Sequence, residues 1–104
     1  MDIPHQVFSA LGDPTRLKVL TTLASAGPAT ATELAAKMPI TRQAVAKHLA
    51  ALSAAGLVNR ESLGRAVRYQ FDASPLEELA SWASDATNTW DRRLERLRRS
   101  LNDA

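Results

Sequence analysis

The chain has 104 residues, no cysteine, and 13 basic against 11 acidic side chains, for a formal net charge of +2. That length supports one domain around one core, and the lack of thiols excludes disulfides and thiolate metal centres. The net charge says little about partners, but its distribution does: from residue 42 to 68, Arg42, Lys47, Arg60, Arg65 and Arg68 stand against the single acid Glu61.

No apolar run reaches membrane-spanning length and no charged-then-apolar leader opens the chain, so a soluble, cytoplasmic protein with no membrane partner is expected. Ile3, Val7, Ala10 and Leu11 recur at helical spacing and predict a short first helix. "GDPTR" then reads as a helix start, with Asp13 as N-cap and Pro14 at the first helical position, where its missing N–H costs nothing. This second helix carries Leu17, Leu20 and Leu23 to about Ala26 and stops at "GP". In "TATE", Thr30 and Glu33 stand at capping-box spacing and open a short third helix that ends before Pro39.

Thr41 caps the fourth helix, Thr41–Ala55, and Gly56 suits its C′ position, with Leu57 folding back on Leu52. Alternation follows: Val67, Tyr69 and Phe71 face one way, with Ala66, Arg68 and Gln70 opposite. Paired with Leu57 to Ser62 through a turn at Gly64, this predicts a two-stranded hairpin. "SPLE" offers Ser74 and Glu77 as another capping box with Pro75 at its first position, opening a final helix of about 27 residues. The fold class is therefore mainly α with a small β-hairpin, in the order α-α-α-α-β-β-α. That order describes a single winged helix-turn-helix domain over residues 1–104.

The fourth helix carries the functional signal. With Val45 at zero degrees and 100 degrees per residue, Leu49 and Leu52 fall beside it, while Gln43, Ala46, Lys47 and Ala50 fall on the far side. A DNA major groove, about 12 Å wide, admits such a helix led by its N-terminal residues. Ala46 and Ala50 let it sit deep and can touch thymine methyls. Gln43 can pair with adenine, and Arg42 can read guanine or hold a phosphate. The backbone amides near Thr41 also suit a phosphate. Arg65 at the hairpin tip and Arg68 on its outer face are positioned to meet backbone or minor groove beside the helix. The alternative for these arginines is a solvated edge strand that uses charge against aggregation.

The last helix predicts a dimer. Leu79, Ala83, Ala86, Trp90 and Leu94 lie along one stripe, and Trp82 lies off it toward a second apolar side. One small domain hardly covers a helix of this length with two tryptophans. Pairing with a second copy, with Ile3 and Val7 of the first helix alongside, would hide them.

Other classes fit less well. His48 points near the buried side of its helix and reads as a packed histidine, and His5 as a surface residue. The serines lie in caps or on exposed faces, and there is no glycine-rich phosphate loop, so no enzyme and no cofactor are expected. A winged helix that only contacts protein is the main rival, since fold does not settle function. RNA is weaker still, because its A-form major groove is too narrow for a helix.

The segments "FSALGDPTRLKVLTTLA", "ATELAAKM", "TRQAVAKHLAALSAAGLV" and "GRAVRYQF" resemble the arsenical-resistance-repressor (ArsR) type of winged helix regulator, from about Val7 to Leu101. The resemblance implies a homodimeric bacterial transcription factor, usually a repressor, on an inverted-repeat operator in double-stranded DNA. It implies DNA contacts at Thr41, Arg42, Gln43, Ala46 and Lys47, and a dimer through the first and last helices. Many members sense metals through cysteines on the helix matching "ELAAKM" or through Asp/His/Glu sets on the last helix. Here Ala35 and Lys37 stand at matching positions and the last helix has no histidine. No metal site of the usual kind is expected. A small-molecule or protein effector remains compatible with these residues, which name neither.

Overall fold

The computed structural model describes residues 5–102, in the order α1 (His5–Leu11), α2 (Pro14–Ala26), β1 (Ala29–Thr30), α3 (Ala31–Ala35), α4 (Arg42–Ala54), β2 (Val58–Leu63), β3 (Ala66–Phe71) and α5 (Ser74–Asn102). It is a winged helix-turn-helix, mainly helical with a small antiparallel sheet. None of the described helices is long and apolar enough to cross a membrane.

Short-range chemistry sets most helix ends. Asp13 adopts an extended backbone, and its Oδ1 accepts from the N–H groups of Thr15 (2.9 Å) and Arg16 (3.1 Å). Thr30 and Glu33 form the reciprocal capping box, at 3.1 and 3.0 Å. Thr41 Oγ1 accepts from Ala44 N–H at 3.1 Å. At the far end of α4, Gly56 N–H donates to Ser53 O and Leu57 N–H to Leu52 O, both at 3.0 Å. Those two bonds make a Schellman ending, and Gly56 supplies the positive φ of 78° it requires.

The hairpin acquires a third strand. β1 pairs antiparallel with β3 through Ala29↔Tyr69 and Thr30↔Arg68, so the sheet order is β1-β3-β2 and the two-stranded expectation is corrected. Two residues carry no periodicity, and only the ladder to a strand far along the chain makes them one. The start of α5 also differs. Ser74 is its first residue rather than a box-forming cap, and it donates both its N–H (2.9 Å) and its Oγ–H (2.7 Å) to Asp72 Oδ1. Asp72 wins because its own N–H is anchored on Leu57 O at 2.9 Å, which holds its side chain below the helix start.

These caps carry a pH dependence. The Arg16 N–H above all holds the Asp13 carboxyl below its usual 3.8, against the desolvation that would raise it. The Thr30 N–H lowers Glu33 from 4.5, and the Ser74 hydroxyl lowers Asp72. A lowered folded-state pKa stabilises the fold above the unfolded value and loses that effect as pH falls through the folded one. The melting temperature should therefore hold from neutrality to about pH 5 and drop below it. Asp13→Asn should shrink that drop in a calorimetric series, and an identical drop in the variant would exclude the Asp13 contribution.

The core lies between α2, α3, α4 and the sheet: Val19, Leu23, Leu34, Val45, Leu49, Leu52 and Leu57 are fully buried, and no described polar residue is. Val7 and Ala10 of α1 join it. α5 behaves differently. Leu76 and Leu79 touch the core, Trp82 meets Phe8 of α1, and from Ala83 on the helix is exposed. The radius of gyration is 19.2 Å, against about 13 Å for a compact chain of this length.

Candidate nucleic-acid interface

α4 lies with Val45, Leu49 and Leu52 in the core and Thr41, Arg42, Gln43, Lys47 and Ala50 exposed, with Ala46 half-buried between them. The predicted orientation of the helix is the observed one. Its first turn contains no acid, so the unpaired N–H groups there present positive potential to solvent.

A cleft of about 450 Å³ opens between that first turn, the start of α3 and the hairpin. Arg42, Gln43, Ala46 and Arg65 line it, all picked out from the sequence, and Thr32 and Tyr69 line it as well. Those last two gave no sequence signal: β1 brings the start of α3 against β3, and only that pairing puts Thr32 and Tyr69 beside α4. Arg60 of β2 lies over the Tyr69 ring at 5.9 Å from its centroid, which stiffens the base of the hairpin.

The hairpin tip is a two-residue loop, Gly64 and Arg65, between the paired Leu63 and Ala66. Gly64 has φ of 61° and no other residue of the loop has a positive φ, the pattern of a type II′ turn with glycine first. The turn leaves Arg65 exposed at the rim of the cleft.

Lys47 and Arg68 fall outside the cleft. Lys47 is exposed on α4. Arg68, on β3, donates from its Nη2 to Glu61 Oε2 at 3.1 Å across the β2–β3 ladder. Both side chains are substantially exposed, so the pair adds little stability. His48 is half-buried, not fully packed, and its buried Nδ1 has no hydrogen-bond partner among the described residues.

The described residues assigned to a dimer interface divide into three groups. Ala83 and Ala86 are exposed on α5, and Trp90 is 58% exposed. Leu79 and Trp82 are half-buried, Trp82 standing edge-on to Phe8 with ring centroids 6.1 Å apart. Val7 is 3% exposed within its own chain, which leaves it little surface for a partner, and Phe8 occupies the outward position instead. Ile3 lies outside the described residues.

A helix-turn-helix domain family matches residues 11–61, a span from the end of α1 to the second strand. Over 79 residues the chain is 39% identical to the HTH-type transcriptional regulator YuzN of Bacillus subtilis, covering 70% of this chain and 86% of that protein. It is 29% identical over 87 residues to the transcriptional repressor SdpR of Bacillus subtilis, covering 84% and 96%. Its fold superposes on the ArsR-like transcriptional regulator from Rhodococcus sp. RHA1 with a TM-score of 0.83 and 40% identity, over 90% of this chain and 88% of that one. A cysteine-free winged helix with two arginines on the cleft at the first turn of α4, alike in sequence and fold to these proteins along most of their length, belongs to the ArsR family of DNA-binding, non-enzymatic transcriptional regulators.

Proposed function

We propose that the protein is a cytoplasmic repressor that binds an inverted-repeat operator as a homodimer. α4 enters the major groove, and the wing lies on the flanking backbone or minor groove. The observation that carries this reading is the convergence of Arg42, Gln43, Ala46 and Arg65 on one cleft open to solvent. Arg42 and Gln43 supply the donors and acceptors that read base edges, and Ala46 lets the helix approach closely. Arg65 suits phosphate or the minor groove. Thr41 and Lys47 extend the same face toward the backbone, and Arg68, exposed on the wing and only weakly paired with Glu61, suits the flanking backbone or minor groove. Repression is supported by the likeness to a relative named as a repressor.

The dimer is supported by surface area. The chain exposes 7304 Å², whereas a compact monomer of its mass exposes about 5,700 Å². The excess, on the order of 1,500 Å², is what each partner of an obligate dimer buries. Leu79, Trp82, Ala83, Ala86 and Trp90, with Phe8 beside them, are the residues that pairing would cover.

The test is Gln43→Ala on the operator found by footprinting the protein's own promoter. It should cost roughly 1–3 kcal/mol there, relax preference at one position per half-site, and leave random-sequence DNA much less affected. Unchanged preference after both Gln43→Ala and Arg42→Ala would overturn the assignment. Zinc, cadmium, nickel and arsenite should leave operator affinity unchanged in a fluorescence-anisotropy titration, since no thiolate exists to bind them. A drop in affinity at one metal per subunit would reveal a carboxylate or intersubunit site.

A further inference from the structure

α2 leaves one leucine without a place in the core. Val19, Leu20 and Leu23 are buried, whereas Leu17 stays 43% exposed on the outer side of the helix. Thr21 follows it one turn on, and Lys18 and Thr22 make the neighbouring row at the same spacing. The segment from Lys37 to Pro39, between α3 and α4, lies across from these two rows. Together they bound a groove of about 490 Å³, a volume in the range of small-molecule sites. Pro14, Leu17, Met38 and Pro39 give it an apolar lining. It shares no lining residue with the cleft at the first turn of α4, although Pro39 shortly precedes the Thr41 cap of that helix.

The polar groups of the groove are one-sided. Thr21 Oγ1 already donates to Leu17 O at 2.8 Å, and Thr22 Oγ1 to Lys18 O at 2.7 Å. The side-chain donors left to the lining are the ammonium groups of Lys18 and Lys37, and no acid lines the groove. Neither lysine joins an ion pair among the described residues. Glu33 is near enough to Lys37 to feel its charge, but its Oε1 accepts from Thr30 N–H in the capping box. Two unmatched cations at the edge of an apolar surface fit a ligand with an anionic head and an apolar body. A DNA backbone supplies the head without the body, and a neutral ligand or a cation leaves both lysines unmatched.

We propose that this groove is a binding site for a small amphipathic carboxylate. The apolar body covers Leu17 and Met38 between the two prolines, and the carboxylate lies at the ammonium groups of Lys18 and Lys37. A ligand held there bridges α2 and the segment that leads into α4. The site goes beyond the DNA-binding reading and is tested with no DNA bound, so either can fail without the other.

Met38 is one of only two methionines in the chain, so its isotope-labelled methyl resonance is easily assigned and reports directly on the groove. The probe is hydrocinnamate, whose ring shifts a methyl that it touches, with hydrocinnamyl alcohol and hydrocinnamylamine as the neutral and cationic counterparts. With the full-length protein, hydrocinnamate should move the Met38 methyl saturably at millimolar concentration. It should bind roughly three- to tenfold more tightly than the alcohol, the advantage that exposed ion pairs give, and the amine should bind most weakly. Lys18→Gln/Lys37→Gln changes two exposed side chains and should stay folded, with the acid brought down to the affinity of the alcohol. Leu17→Glu should abolish the response to both.

A Met38 methyl that does not move, or equal binding of acid and alcohol by wild type, would overturn the proposal. So would an acid preference that survives in the double-lysine variant. Two other occupants would also overturn it. A Met38 resonance that depends on protein concentration without ligand would put a second copy in the groove. Loss of random-sequence duplex binding by the folded double-lysine variant would put a DNA backbone on the two ammonium groups.

Discussion

Trp90→Glu is expected to leave the protomer folded and abolish the dimer, and high-affinity operator binding with it. Trp90 is 58% exposed in the protomer and lies on the part of α5 beyond its contact with the core. Its replacement therefore removes nothing from the fold, and the melting curve at low protein concentration should match wild type. In the dimer two copies of the indole would be buried. At about 1.5–3 kcal/mol for each large side chain, their loss alone costs roughly 3–6 kcal/mol of association. Since every 1.4 kcal/mol is tenfold, that is a weakening of at least about a hundredfold. A carboxylate desolvated in each copy adds to it.

Sedimentation should then show monomers at micromolar concentration, and gel shifts should show only weak, half-site occupancy. A variant that remains dimeric would remove Trp90 from the interface. Trp82→Glu should behave differently. Trp82 is half-buried against Phe8, so that change should lower both the melting temperature and the dimer affinity.

Leu49→Ala should have the largest effect on the fold. Leu49 is fully buried on the inner side of α4, between Val45 and Leu52. Truncation leaves a cavity and should cost about 2–5 kcal/mol, a large share of the roughly 5–15 kcal/mol that holds a domain of this size together. The same residue anchors α4 in the core, so DNA binding should fail as the helix loosens, on every sequence alike. Lys47→Ala, two residues away on the exposed side, is the control. It should leave stability within about 0.5 kcal/mol while weakening all DNA binding and flattening its salt dependence. Denaturant titration and anisotropy at two salt concentrations separate the two. A stable Leu49→Ala protein would mean the helix is held mainly from elsewhere.

The helices and the cleft side of α4 were legible because their causes are local. An Asp or Thr accepting from an N–H two or three residues on, a glycine at a helix end, and apolar residues three or four apart all act within a single turn. Asp13, Thr30, Thr41 and Gly56 could therefore be read directly from their neighbours. The orientation of Gln43, Ala46 and Lys47 followed from the same periodicity, because Val45, Leu49 and Leu52 leave the helix only one way to face.

What depended on contacts between distant residues was decided by the tertiary structure alone. β1 is a strand only because Ala29 and Thr30 meet Tyr69 and Arg68, and that pairing brings Thr32 and Tyr69 to the cleft. Asp72 rather than Ser74 accepts at the start of α5 because its backbone is tied to Leu57. Val7 turned inward and Phe8 outward because α1 packs on α2 and α4 before it can offer anything to a partner. Arg68 meets Glu61 only because the ladder register sets the two residues opposite each other. Hydrophobic pattern and capping act over about one helical turn, whereas a ladder register, an inward or outward rotation and an ion pair are settled only when separate elements meet.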